Sequence, residues 1–201
     1  MSKYGHRPHN WFEAIINKLG GEEAGEQFLR GELTVSKPEK PTILEFLGTV
    51  SVPATNKKFV AKKKFVINTG DDAAVKISYL GDNFKAEFLG KTEKPFAGSE
   101  LRQQKLKQAS VDGLIIAEIG GEAKAETTLT EVFALMEKQG KGESGTILNN
   151  GYANIFYVRN VKGVLRAVFV YWLDGGWGVG AYSVESPGRW FDGLQVFSRN
   201  S

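Results

Sequence analysis

The sequence predicts an α+β fold. It should open with an N-terminal helical hairpin, continue as an antiparallel β-rich body with one or two packed helices, and close in a C-terminal β-meander. Three observations carry this reading. Apolar residues recur at helical spacing in the first stretch, from Trp11 to Leu29. Runs rich in β-branched and aromatic residues, broken by turn signals, fill 42–90 and 152–198. Between them lies one strongly capped helical pattern, beginning at Thr128.

The first helix is expected from Asn10, a favoured N-cap with Glu13 three residues on. Trp11, Phe12, Ile15, Ile16 and Leu19 form its apolar face, and Gly20-Gly21 stops it. A second helix runs from about Glu22 to Arg30, with Gly31 behind it. Residues 1–35 thus make the hairpin. Ser36-Lys37-Pro38-Glu39-Lys40-Pro41 is an extended, charged linker, and 42–201 forms a single α+β domain.

Strands are expected over Ile43–Val52, Phe59–Asn68, Ala74–Leu80 and Phe84–Leu89, as a meander. Ser99–Ala109 reads as a polar helix and Leu114–Ala117 as a short buried strand. Thr128 with Glu131 forms a capping box for a helix whose core face is Leu129, Val132, Phe133 and Met136. The last strands are Tyr152–Arg159, Val164–Leu173, Trp177–Val184 and Leu194–Ser198, with Asp174-Gly175-Gly176 a tight turn. No internal repeat and no low-complexity tract is evident.

Composition narrows the chemistry. A chain of 201 residues with 41% hydrophobic and 24% charged residues can bury a core without staples. It has no cysteine, which excludes disulfides, thiolate catalysis and cysteine metal sites, and fits a reducing compartment. The segment Met1–His6 lacks the apolar run of a signal peptide. No run reaches the ~20 apolar residues of a membrane helix, so a cytoplasmic protein without membrane association is expected. The net charge of +3 is uneven: 41–110 carries twelve basic and seven acidic residues, the other parts none in excess or a slight acidic excess.

The usual catalytic patterns are missing. His6 and His9 lack further ligands for a metal and fit a terminal arm. Gly176-Trp177-Gly178-Val179-Gly180 lies inside a strand pattern with no helix after it, so it is no phosphate loop. Gly142-Glu143-Ser144-Gly145 lacks the spacing and context of a nucleophile elbow. The aspartates Asp71, Asp72, Asp82, Asp112, Asp174 and Asp192 sit mostly in turn contexts, where local backbone bonding is the ordinary role; a carboxylate acid–base pair needs two of them to converge. No cofactor and no metal is expected.

Two surfaces stand out. Lys57, Lys58, Lys62, Lys63 and Lys64 interleave with Phe59 and Phe65, a composition that suits phosphates and stacked bases. Period 2 instead turns Phe59 and Phe65 inward, leaving the lysines on an open face. In the aromatic C-terminal stretch, alternation sets Val164, Arg166, Val168, Val170 and Trp172 on one face and Leu165, Ala167, Phe169 and Tyr171 on the other. Both faces are apolar, so the strand should be covered twice. Trp177, Arg189 and Trp190 flank turns and belong to the residue types that anchor partners.

Several stretches together resemble a family of uncharacterised small proteins from candidate-phylum bacteria: Asn10–Gly21, Phe28–Leu33, Glu126–Leu129, Asn150–Val158, Gly163–Val168 and Ala181–Val184. The resemblance spans Asn10 to Ser198 and implies a bacterial, non-secreted globular protein. It transfers no activity and no site residue. The expectation is a non-enzymatic binding or interaction module, with a protein partner meeting Trp177, Arg189 and Trp190. The alternatives are a nucleic-acid binder using the lysines of 57–64, or an enzyme with a carboxylate pair.

Overall fold

A computed structural model describes residues 9–35 and 42–200, and the chain divides into two compact units, 1–41 and 42–201. The expected arm with His6, the side chain of His9 and the linker 36–41 lie outside the described residues. In the first unit, α1 (His9–Leu19) and α2 (Glu22–Leu29) form a hairpin. Gly20 and Gly21 turn the chain with φ of 108° and 100°, where a side chain is strained. The hairpin closes at Gly25, where a Cβ would stand 2.7 Å from Ile16 Cδ1.

The second unit contains, in chain order, β1 (Leu44–Val52), β2 (Phe59–Val60), α3 (Ala61–Lys64), β3 (Ile77–Leu80), α4 (Asp82–Phe88), β4 (Thr92–Glu93) and β5 (Ser99–Leu106). Then come α5 (Asp112–Ile119), α6 (Glu122–Ala125), β6 (Glu126–Thr127), α7 (Leu129–Lys138), β7 (Asn154–Arg159), β8 (Leu165–Leu173), β9 (Gly176–Ser183) and β10 (Gln195–Arg199). The α+β class holds. The main sheet has eight strands in the order β1-β5-β10-β7-β8-β9-β3, with β6 beside β7. It is mixed: β10 and β6 both run parallel to β7, and β3 runs parallel to β9. The meander is β7-β8-β9; β10 returns to the far edge of β7 instead of pairing with β9.

Four segments differ from the sequence reading. Phe59–Asn68 forms only the two residues of β2 before turning into α3. Phe84–Leu89 is helical: Asp82 stands in the first turn of α4, and Phe84 and Phe88, one turn apart, stack at 5.3 Å. Ser99–Ala109 contains strand β5, hydrogen-bonded on both sides by β1 and β10, and this pairing overrides its polar composition. Leu114–Ala117 lies inside α5, which ends at Gly120 with φ 107°.

The sheet separates two cores. The larger gathers Leu129, Val132, Phe133, Leu135 and Met136 of α7 with Phe65, Phe84 and Phe88, against Phe156, Val168, Val170, Trp177, Val179 and Phe197. The smaller packs Ile115 of α5 and Ala125 of α6 onto Ile155, Tyr157, Leu165, Ala167 and Val196. Strand alternation sorts these sets, as on β7, where Ile155 and Tyr157 face one core and Phe156 and Val158 the other. On β1, Leu44 and Val52 share parity yet serve different cores; a register shift between Phe46 and Gly48 reverses the facing. The capping box is present: Thr128 N donates to Glu131 Oε2 at 2.7 Å, and Glu131 N to Thr128 Oγ1 at 3.2 Å. Buried Glu131 also accepts from Ser99 Oγ at 2.5 Å and pairs with Arg199, tying α7 to β5 and β10.

Candidate functional site

Beyond Leu165 and Ala167, the same face of β8 presents Phe169 and Tyr171, which belong to neither buried core. Their partners across the ladder are Gly180 and Gly178 of β9. A Cβ on Gly180 would stand 2.3 Å from Phe169 Cζ, and one on Gly178 2.3 Å from Tyr171 Cζ. The two rings therefore occupy the space that β9 side chains would fill. The glycine pattern of 176–180 makes an aromatic floor, which is why these glycines alternate with Trp177 and Val179, both turned to the larger core.

Walls rise around this floor. The Tyr182 ring stands 4.8 Å from Phe169 at 33°, and the Trp190 ring 5.5 Å from Phe169 at 68°. Trp190 is fixed by reciprocal backbone bonds with Ser110, at 3.0 and 2.8 Å. Its indole Nε1 donates to Asp112 Oδ1 at 2.8 Å, and Tyr157 Oη donates to the same oxygen at 2.8 Å. Asp112 is 2% exposed. No hydrogen bond from the described residues reaches its Oδ2. Burial raises the Asp112 pKa above the ordinary carboxylate value, against the two donors that lower it. Burial and the adjacent Asp112 also push the Tyr157 hydroxyl up, so it stays a donor.

Asp112, Phe169, Tyr171, Tyr182 and Trp190, with Gly151, Tyr152, Ser186, Arg189 and Phe191, line an open cavity of about 800 Å³. Phe191 is 74% exposed, and Tyr152 and Tyr182 about half. Such aromatic exposure around a concave surface marks binding sites. A neighbouring depression of about 410 Å³ shares Phe169, Tyr171 and Tyr182 and adds Tyr79. Burial, then the nearby Tyr79 and Tyr182, raise the Tyr171 hydroxyl pKa.

The structure places the sequence-derived candidates unevenly. Arg189 and Trp190 line the cavity. Trp177 does not join them: it is fully buried in the larger core, on the opposite face, with Nε1 donating to the Gln139 carbonyl at 2.9 Å. Of the six aspartates only Asp112 is buried, and it is the single carboxylate among the residues lining this cavity. Among the described residues no group of three His, Asp or Glu side chains is placed to hold a metal ion.

Lys57, Lys58 and Lys64 border a second cavity of about 740 Å³, lined also by Phe59, Phe133 and Glu137. Lys62, Lys63 and Lys64 are exposed on a helical turn, not along a strand. Phe59 and Phe65 are buried, which removes them as stacking platforms. Lys64 is partly committed, pairing with Glu137 at 3.0 Å and lying 4.9 Å over the Phe133 ring.

The sequence reading missed Tyr152, Phe169, Tyr171, Tyr182 and Phe191 as site residues, and named Asp112 only as one of six scattered aspartates. Part of the signal was present: the bulky rings of Phe169 and Tyr171 on one strand are mirrored across the 174–175 turn by Gly180 and Gly178 on the next. Asp112 gave none, because its neighbours Tyr157 and Trp190 are 45 and 78 residues away in sequence. Comparison with protein-family models, curated proteins and solved structures returns no match.

Proposed function

We propose that the chain is a non-enzymatic binding module of the cytoplasm, and that its ligand site is the aromatic cavity over β8 and β9. One observation carries this reading: exposed aromatic rings surround a concave space whose floor includes a buried carboxylate with a free oxygen. A pocket of this size, mostly apolar with few polar groups, suits a small molecule. A single carboxylate, with no second acid, histidine or lysine among the residues lining the cavity, favours binding over catalysis. The cysteine-free composition suits a reducing compartment.

The test is a thermal-shift screen of the purified chain against metabolites of varied chemistry, repeated with Phe191→Ala and Tyr182→Ala. A compound that raises Tm for the unaltered chain and not for either variant supports the site. Equal shifts in all three proteins place the ligand elsewhere and sink the reading. The exposed lysines support a second reading, a polyanion-binding surface. That reading expects affinity for single-stranded nucleic acid to fall steeply with salt and to drop in a Lys57/Lys58/Lys62/Lys63 alanine variant. Affinity unchanged by salt removes it. A protein partner would meet the same aromatic rim through Phe191 and Arg189, and a pull-down abolished by Phe191→Ala identifies that case.

A further inference from the structure

We propose that the aromatic cavity takes the head of a small molecule bearing an alkylated ammonium, with Asp112 as its counter-charge. The proposal rests on the cavity being the ligand site and names what that site selects. The first support is the state of Asp112. It is 2% exposed, and both of its hydrogen-bond donors among the described residues, Tyr157 Oη and Trp190 Nε1, are neutral and meet one oxygen. No lysine or arginine of the described residues forms an ion pair with it. A buried carboxylate without a cation is costly, and a cationic ligand at Oδ2 removes that cost.

The second support is the shape of the walls. Phe169, Tyr171, Tyr182 and Trp190 do not form one stack: Phe169 meets Tyr171 at 19°, Tyr182 at 33° and Trp190 at 68°. Phe169, Tyr182 and Trp190 pack on one another, with Tyr182 and Trp190 5.8 Å apart, and this cluster lines the cavity, where the negative face of a ring attracts a cation.

The third support is what the walls lack. A primary ammonium carries three donors and a guanidinium five, and each needs an acceptor when desolvated. The side-chain acceptors of the lining are the Asp112 carboxylate and the hydroxyls of Tyr152, Tyr171, Tyr182 and Ser186, among aromatic rings. Alkyl substituents remove the donors and present methyl groups to the rings instead. The same scarcity of polar partners disfavours a sugar, whose hydroxyls would be left unpaired. Arg189, exposed at the rim and without an ion pair among the described residues, stands where an anionic group on the same ligand would meet it.

The experiment is a calorimetric titration of the full chain with choline and with 3,3-dimethyl-1-butanol, its uncharged isostere, and with glucose as a polyol control. Choline is expected to bind roughly tenfold or more tightly than the isostere, as a desolvated cation–π site with a counter-charge requires. Asp112→Asn, which keeps an acceptor for Tyr157 and Trp190, should erase that preference. Should this variant misfold, Tyr182→Ala, at an exposed position, should weaken choline binding by roughly fivefold. Equal binding of choline and isostere, lost in Tyr182→Ala, overturns the cation proposal and leaves the cavity as the site. Glucose bound more tightly than choline overturns it likewise. No heat from any probe, together with no effect of Tyr182→Ala in the metabolite screen, removes both the proposal and the reading beneath it.

Discussion

Trp177 and Trp190 pack against opposite faces of one sheet, and their fates differ completely. Trp177 is sealed between β9 and α7, its N–H taken by the Gln139 carbonyl, which also accepts from Gly142 N. Trp190 is only partly buried, and its N–H goes to a carboxylate with an oxygen to spare. The residue type is the same; the covering differs. On one face α7, anchored through Glu131 and Arg199, closes the sheet. On the other, α5 and α6 stop at Leu165 and Ala167, and the rings of Phe169 and Tyr171 take over. The closed face carries the larger core, and the open one carries the cavity proposed to bind a ligand.

This contrast can be broken by substitution. Trp177→Ala removes a fully buried ring and leaves a cavity, and should cost ~3–5 kcal/mol, read by denaturant unfolding. Trp190→Ala should cost clearly less while abolishing ligand binding; an equal loss of stability would erase the distinction. Next in size is Gly180→Ala. Its Cβ would meet Phe169 Cζ at 2.3 Å, so the ring must leave the floor, at ~1–3 kcal/mol with loss of the site.

Asp112→Asn sharpens the comparison from the electrostatic side. Because burial raises the folded-state pKa, the folded chain holds this proton more tightly than the unfolded chain does. The contribution of Asp112 therefore favours folding below 3.8 and is lost as pH rises through the raised value. The amide variant should lack that part of the pH dependence and should have a higher Tm than the unaltered chain at neutral pH. A lower Tm would mean that the charge is stabilised by groups other than Tyr157 and Trp190. The smallest effect belongs to Phe191→Ala, expected within ~0.5 kcal/mol by unfolding because the side chain is 74% exposed, yet costly to binding.

Where local rules decided the structure, the sequence was readable. The Thr128–Glu131 box, the Gly20-Gly21 stop and the alternation on β8 all concern neighbours within a few residues. Misreadings arose where distant pairing decided. Leu101 and Leu106 on β5 show no two-residue period because each faces a different core. The error at α5 is of another kind, since the signal was there. Ile116-Ala117-Glu118-Ile119-Gly120-Gly121-Glu122 repeats the pattern of Ile16-Asn17-Lys18-Leu19-Gly20-Gly21-Glu22. Both turns make the same bonds: Gly21 N to Ile16 O and Gly121 N to Ile116 O, each at 2.9 Å. A stop recognised in one place predicted a helix in the other. Of the site, the strand face carrying Phe169 and Tyr171 was legible, but its openness was not, because no local pattern says where a covering helix ends.

The central claim is that the face carrying Trp190 receives a ligand while the face carrying Trp177 does not. The most direct test follows the two indole N–H signals by ¹H–¹⁵N spectroscopy as choline is added to the ¹⁵N-labelled chain. The account predicts a saturable shift of the Trp190 signal with the Trp177 signal unmoved. A stationary Trp190 signal, or equal movement of both, would contradict it.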